Sequence, residues 1–197
     1  FNKKMKISGL TRGIGSGKTS ILNLFKKKNI NCFNTDFIAK KLMDNELKEK
    51  IKTLFGKDIY KNGKLNRKKI SKIVFNDIEK LNKLNSIVHP AVRKNFRDFI
   101  KRNKKDKFIV YETALLFETG FNKECDIIIL VIAPLKKRIK RIIKRDGLLK
   151  SEITRRIHHQ WSDEKKAGLS DYIINNDIWR NTLIEFDKIF NKLNLSY

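Results

Sequence analysis

Gly13, Ile14, Gly15, Ser16, Gly17, Lys18 and Thr19, followed by Ser20, have the types and order needed to hold a chain of phosphates. Glycines let successive backbone N–H groups turn inward around anionic oxygens, and a helix starting directly afterwards adds its positive N-terminus. In that arrangement Lys18 bridges β- and γ-phosphate oxygens, and the Thr19 hydroxyl enters the shell of a Mg²⁺ ion. The alternative is a glycine-rich turn whose lysine is merely solvated. The context favours the phosphate site, because an apolar strand precedes the stretch and the helical run "SILNLFKKK" follows it. One position departs from the strict pattern G-x-x-x-x-G-K-[ST]: Arg12 stands where the first glycine belongs. That position lies where the strand leaves the sheet, away from the amides nearest the phosphates. A live site is therefore expected, provided φ at position 12 is negative. The guanidinium is expected to reach solvent or to lean toward the nucleotide.

Three further groups carry possible chemistry. In "FIVYETALLFE", Glu112 closes a strand and is the candidate acid for the metal, with Glu118 further on; the alternative for Glu112 is a turn cap. Asp36, in "NTDFIAKKLM", falls where a second strand gives way to a helix. A carboxylate at that edge of an open α/β sheet suits accepting a proton from a substrate hydroxyl, and it equally suits helix capping. The helix "PLKKRIKRIIKRDG" spaces Arg138, Arg141 and Arg145 by three and four, so they share a face. Such a face either closes over a transferring phosphate or is plain solvated surface. His89, His158 and His159 have no metal-ligand spacing, and Cys32 and Cys125 lack a C-x-x-C partner, so free thiols are expected.

The elements that must position these residues are legible as alternating apolar runs and helical patterns, the mark of a parallel sheet covered by helices. Strands are expected at Lys6 to Leu10, Ile30 to Phe33, Phe108 to Glu112, Ile127 to Ala133 and Tyr172 to Ile174. Between the second and third lies a helix-period stretch with Leu47, Ile51 and Leu54, then Ile70, Ile73 and Val74, then Leu81, Leu84, Ile87 and Val88. This is too long for one crossover helix and reads as an insertion. An Asn-Gly turn signal sits in "YKNGKLN", and His89 with Pro90 is expected to end one helix and begin another. Pro134 opens the basic helix and Gly147 closes it.

Composition bounds the function class. The formal net charge is +25 over 197 residues, which invites a nucleic-acid reading. The lysines are spread through every segment instead of forming one stripe, so no nucleic-acid partner is expected, and the excess suits a polyanionic small substrate. The longest apolar run, "IIILVIA", is far below the roughly 18 to 20 residues that cross a bilayer, so a cytoplasmic protein is expected. "NKKD" at Asn103 to Asp106 has the form of a guanine-recognition motif, but it precedes a strand and no D-x-x-G accompanies it.

With these residues in hand, the sequence resembles the dephospho-coenzyme A kinases. The resemblance runs through "GIGSGKT", "DFIAKKL" after Asp36, "IVHPAVR", "LLFETGF", "RIKRIIKRDG", "RIHHQ" and "DYIINN", in that order. The family's usual glycine is Arg12 here, the first of its two aspartates is Asn34, its strand aspartate is Glu112, and the proline before "LLFE" is Ala114. The resemblance implies a three-layer α/β P-loop NTPase fold with a five-stranded parallel sheet, a helical substrate-binding insertion and a helical lid. It implies a nucleotide core of 1–36, 104–135 and 166–197, an acceptor region of 37–103 and a lid of 136–165. It implies ATP and Mg²⁺ as cofactors and dephospho-coenzyme A as the substrate, phosphorylated on its ribose 3'-hydroxyl. The expected catalytic set is Lys18, Asp36, Arg141 and Arg145. Gly13 to Ser20 with Asn175 would hold the nucleotide, Thr19 and Glu112 the metal, and His89 and Arg93 the acceptor with Asp36. Alternatives are another P-loop nucleotide or small-molecule kinase, or a basic nucleic-acid-binding protein.

Overall fold

Two short runs, Phe108–Glu112 and Ile127–Ile132, are rich in Ile and Val and buried on both faces, and such strands are stable only with helices covering each side of the sheet. The computed structural model describes residues 5–75, 77–158 and 160–196, the side chains of Lys18, Phe75 and Ser196 excepted. The strands are β1 (Lys6–Arg12), β2 (Cys32–Asn34), β3 (Tyr60–Lys61), β4 (Lys64–Leu65), β5 (Phe108–Glu112), β6 (Ile127–Ile132) and β7 (Tyr172–Asn175). The helices are α1 (Lys18–Lys27), α2 (Thr35–Asp44), α3 (Lys48–Phe55), α4 (Arg67–Phe75), α5 (Ile78–Arg102), α6 (Leu135–Asp146), α7 (Lys150–His158), α8 (Asp163–Ala167) and α9 (Trp179–Ser196).

The chain forms two compact units, Phe1–Phe33 with Asn103–Tyr197, and Asn34–Arg102. In the first, the sheet runs in the order β2-β5-β1-β6-β7, with β1 parallel to β5 and β6, and β6 parallel to β7. The chain thus builds one half of the sheet on one side of β1 and the other half on the opposite side. The carboxyl end of β1 therefore lies at the reversal, where open α/β sheets bind ligands. All five expected strands form. Leu10, Val110, Ile129, Val131 and Ile174 point to the face covered by α1 and α9, where Phe25 meets Phe186 edge-on at 4.8 Å between centroids. On the other face Tyr111 stacks on Phe121 at 3.9 Å. Truncating a buried Phe such as Phe25 to Ala would cost about 3 to 5 kcal/mol. Cys32 and Cys125 are free thiols, each pushed up to about 12 by burial, so they stay protonated.

The second unit contains α2 to α5 and a small hairpin. The Asn-Gly signal becomes the turn between β3 and β4, with Asn62 and Gly63 both at positive φ, 49° and 77°. Tyr60 donates its hydroxyl to Met43 O at 2.6 Å, and Arg67 pairs with Asp44 at 2.7 Å, tying the hairpin region to the end of α2. The expected break at His89 and Pro90 does not occur: α5 runs 25 residues through Pro90. Proline removes one backbone donor, but Leu84, Val88, Val92 and Phe96 bury a continuous stripe on both sides of it, and that packing outweighs the lost bond. No helix among the described residues is long and apolar enough to cross a membrane.

Candidate active site

The phosphate loop leaves the end of β1 and enters α1 at Gly17. Gly15 and Gly17 have φ of 82° and 89°, a region closed to most side chains. A Cβ at Gly17 would also collide with the Asn176 amide nitrogen. Because the residue capping α1 is a glycine, no side chain occupies that helix end. Ser20 N–H donates back to Gly17 O at 3.0 Å, while the N–H groups before it in the first turn have no i−4 helical acceptor and are left for an anion. Thr19 and Ser20 are exposed on this turn. The Lys18 side chain, a central expectation, lies outside what is described, as does His159.

Arg12 is not in the left-handed region, so replacing glycine there strains nothing. Of the two courses expected for its side chain, toward solvent or toward the nucleotide, the first is not taken. Arg12 is 8% exposed, because it ends a central strand flanked on both sides, in register with Val131 of β6. Its Nη1 donates to Gly13 O at 3.4 Å. Glu112, in register with Leu10 on the other neighbouring strand, is fully buried at the end of β5.

The three arginines of α6 meet three different environments. Arg138 is 5% exposed; its Nε donates to Ile14 O at 2.8 Å and its Nη1 pairs with Asp163 at 2.5 Å. Arg141 donates from Nη2 to Asn176 O at 3.1 Å, while its buried Nη1 has no hydrogen-bond partner among the described residues. That guanidinium group lies 3.7 Å from where a Cβ of Gly17 would stand. Arg145 is exposed and forks onto Asp146 at 2.8 and 2.7 Å. On this helix Arg141 brings a buried donor, without a partner among the described residues, beside Gly17, and Arg138 brings its Nη2 beside Gly13.

Asn175, expected beside the nucleotide, is exposed and gives its backbone N–H to Glu185 at 2.7 Å. The asparagine that meets the loop is Asn176, which is buried and donates Nδ2 to Ser16 O at 2.8 Å. Gln160 was visible only as the end of "RIHHQ"; its Oε1 accepts from Ile14 N–H at 2.9 Å and its Nε2 donates to Ala114 O at 3.4 Å. Lys166, wholly buried, pairs with Glu118 at 2.9 Å, and Glu118 also accepts from Trp161 N–H at 2.9 Å. Glu118 Oε1 thus anchors the segment after α7. Ser16 Oγ joins Arg141 Nη1 as a buried polar atom without a partner among the described residues. Two such atoms beside an open helix N-terminus call for an explanation, and an anion supplies one.

In the second unit, Asp36 is exposed in the first turn of α2, where a negative charge suits the helix dipole. It is not the cap. Asn34 is, accepting from Phe37 N–H at 2.8 Å. His89 and Arg93 are one turn apart on α5, and burial first, then the Arg93 charge, holds the imidazole below its ordinary pKa. A concavity of about 350 Å³ in this unit is lined by residues including Lys41, Asn45, Asn95 and Arg102, but by none of Asp36, His89 or Arg93. Among the described residues no three His, Cys, Asp or Glu side chains cluster for a metal.

The model of the dephospho-CoA kinase family matches residues 6–181. A dephospho-CoA kinase of Fusobacterium nucleatum is 39% identical over 173 residues, covering 87% of this chain and 89% of the relative. The solved structure of TT1252 from Thermus thermophilus superposes with a TM-score of 0.86 at 29% identity, covering 96% of this chain and 98% of that one. The dephospho-CoA kinase from Campylobacter jejuni gives a TM-score of 0.69 at 26% identity, covering 95% and 96% of the two chains. The match spans both units and every motif described above, so the chain belongs to the dephospho-CoA kinase family.

Proposed function

We propose that this chain transfers the γ-phosphoryl group of ATP to the ribose 3'-hydroxyl of dephospho-coenzyme A, giving coenzyme A and ADP. The observation that carries the reading is the buried Nη1 of Arg141, without a partner among the described residues, beside the uncapped start of α1, a donor and a helix end that could serve one anion together. The backbone from Gly15 to Thr19 would hold the β- and γ-phosphates, with Ser16 Oγ available to them and Asn175 near the nucleotide. For Mg²⁺, the exposed Thr19 hydroxyl and the absence of a described carboxylate cluster fit an ion held chiefly by phosphates and waters, with Glu112 the expected acid nearby. Bound there, the ion would neutralise charge on the phosphates.

The protein's own part is positioning and charge. Lys18 and Arg141 stabilise charge on the moving phosphoryl group, and Arg145 would leave Asp146 to join them. Asp36 orients the acceptor hydroxyl and takes its proton, while His89 and Arg93 hold the acceptor. In this reading residues 37–103 form the acceptor region and 136–165 the lid, and the reaction takes place in the cytoplasm. ATP turnover with dephospho-coenzyme A, compared against adenosine, AMP and pantetheine, tests it. Strong preference for dephospho-coenzyme A is expected; turnover of AMP alone would overturn the assignment.

A further inference from the structure

Resting on the kinase reading above, we propose that Gln160, Arg138 and Asp163 are positioning residues that lock the Ile14 peptide and thereby aim the phosphate-facing amide of Gly15. Ile14 is gripped from both sides: its N–H donates to Gln160 Oε1 at 2.9 Å, and its carbonyl accepts from Arg138 Nε at 2.8 Å. Within a trans peptide the carbonyl and the next N–H point in opposite directions. Arg138, drawing the Ile14 carbonyl outward, therefore turns the Gly15 N–H the other way. The preceding plane is held as well, since Gly13 O accepts from Ser16 N–H at 3.3 Å.

The grip is itself held. Asp163 fixes Arg138 Nη1 at 2.5 Å, the Ser162 hydroxyl caps α8 by accepting from Lys165 N–H at 3.2 Å, and Gln160 Nε2 donates to Ala114 O at 3.4 Å. Arg138 sits so close to the loop that a Cβ at Gly13 would collide with its guanidinium and with Asp163 Oδ1. Glycine at 13 therefore admits the clasp. A loop with two glycines at positive φ has many alternative conformations, and binding is weakened by the fraction of time it spends in them. Locking Ile14 removes those alternatives before the nucleotide arrives. Arg138 comes from the start of the segment 136–165 and Gln160 and Asp163 from its end, so both roots of that segment bear on the loop.

The test uses the full chain without acceptor, measuring ATP affinity by calorimetry and exchange of the Ile14 amide by nuclear magnetic resonance. Gln160→Met removes the acceptor at similar size. It should speed Ile14 exchange by about tenfold or more and weaken ATP binding about three- to tenfold, magnitudes suited to one lost hydrogen bond. Gln160→Glu keeps an acceptor for the amide and should restore the protection, which a general loss of stability would not do. Ile14 exchange within twofold of wild type in Gln160→Met, or unchanged ATP affinity despite faster exchange, would overturn the proposal. Should Gln160→Met fail to fold, Asp163→Ala, which removes the acceptor from Arg138 Nη1, decides it by ATP affinity and by exchange of the Gly15 amide, the N–H in the plane that Arg138 holds; both unchanged would overturn the proposal. A wild-type protein that binds ATP yet ignores dephospho-coenzyme A would sink the acceptor assignment and leave the clasp standing.

Discussion

Arg141→Ala should cut turnover far more than it weakens ATP binding. The side chain already makes one bond, from Nη2 to Asn176 O at 3.1 Å, and holds Nη1 buried beside Gly17 without a partner among the described residues. A charge-assisted hydrogen bond from that nitrogen to a phosphate oxygen contributes about 1.5 to 3 kcal/mol, equivalent to roughly tenfold to 150-fold. Most of this should appear in kcat, because charge on the transferring group changes most at the transition state. The apo protein should lose little, since removing the arginine forfeits one part-buried bond but also relieves a partly desolvated, half-satisfied cation. A melting shift of no more than about 4 °C is expected. Arg141→Lys should recover only part of the rate, as it keeps the charge but not the fork. The assay is steady-state turnover with dephospho-coenzyme A alongside ATP binding by calorimetry. Turnover within twofold of wild type in Arg141→Ala would refute the reasoning, and the unused nitrogen would then be only a packing defect.

Asp36→Asn should lower turnover by about a hundredfold while ATP binding persists, and because Asn34 supplies the α2 cap, the melting temperature should hold; a variant with normal turnover would remove Asp36 from the chemistry. Gly17→Ala should abolish ATP binding measured by calorimetry, since the new Cβ faces a φ of 89° and the Asn176 amide. Arg12→Gly should change ATP affinity by less than about tenfold, as position 12 is in the strand and outside the amide cradle; loss of binding in either form alone would contradict this. For His89, the folded pKa lies below that of the unfolded chain, which therefore binds the extra proton between the two values. Stability should fall as pH drops below about 6.5, and thermal melts of His89→Gln across pH 5 to 7.5 should show a flatter slope than wild type.

The places of the five core strands along the chain, the phosphate loop and the turn at Asn62 and Gly63 were legible because each is written in local chemistry. β5 appears at the expected Phe108 to Glu112 since a run apolar on both faces has no stable place except inside a covered sheet. Gly15 and Gly17 announce positive φ, and Asn62 with Gly63 announces a tight turn, without reference to the rest of the chain. The spacing of Arg138, Arg141 and Arg145 likewise fixed their common face. What each arginine does on that face was not legible. Arg138 is buried by Asp163, 25 residues away, Arg141 is engaged by Asn176, 35 residues away, and Arg145 is left to its neighbour. Pro90 reads as a break until the stripe from Leu84 to Phe96 is packed, and Gln160 reads as an unremarkable polar residue until Ile14 is brought against it from 146 positions away. Periodicity and turn chemistry are properties of neighbours along the chain, so the sequence alone settles them; a side chain's partner is set by which distant element packs beside it, and only the tertiary structure decides that.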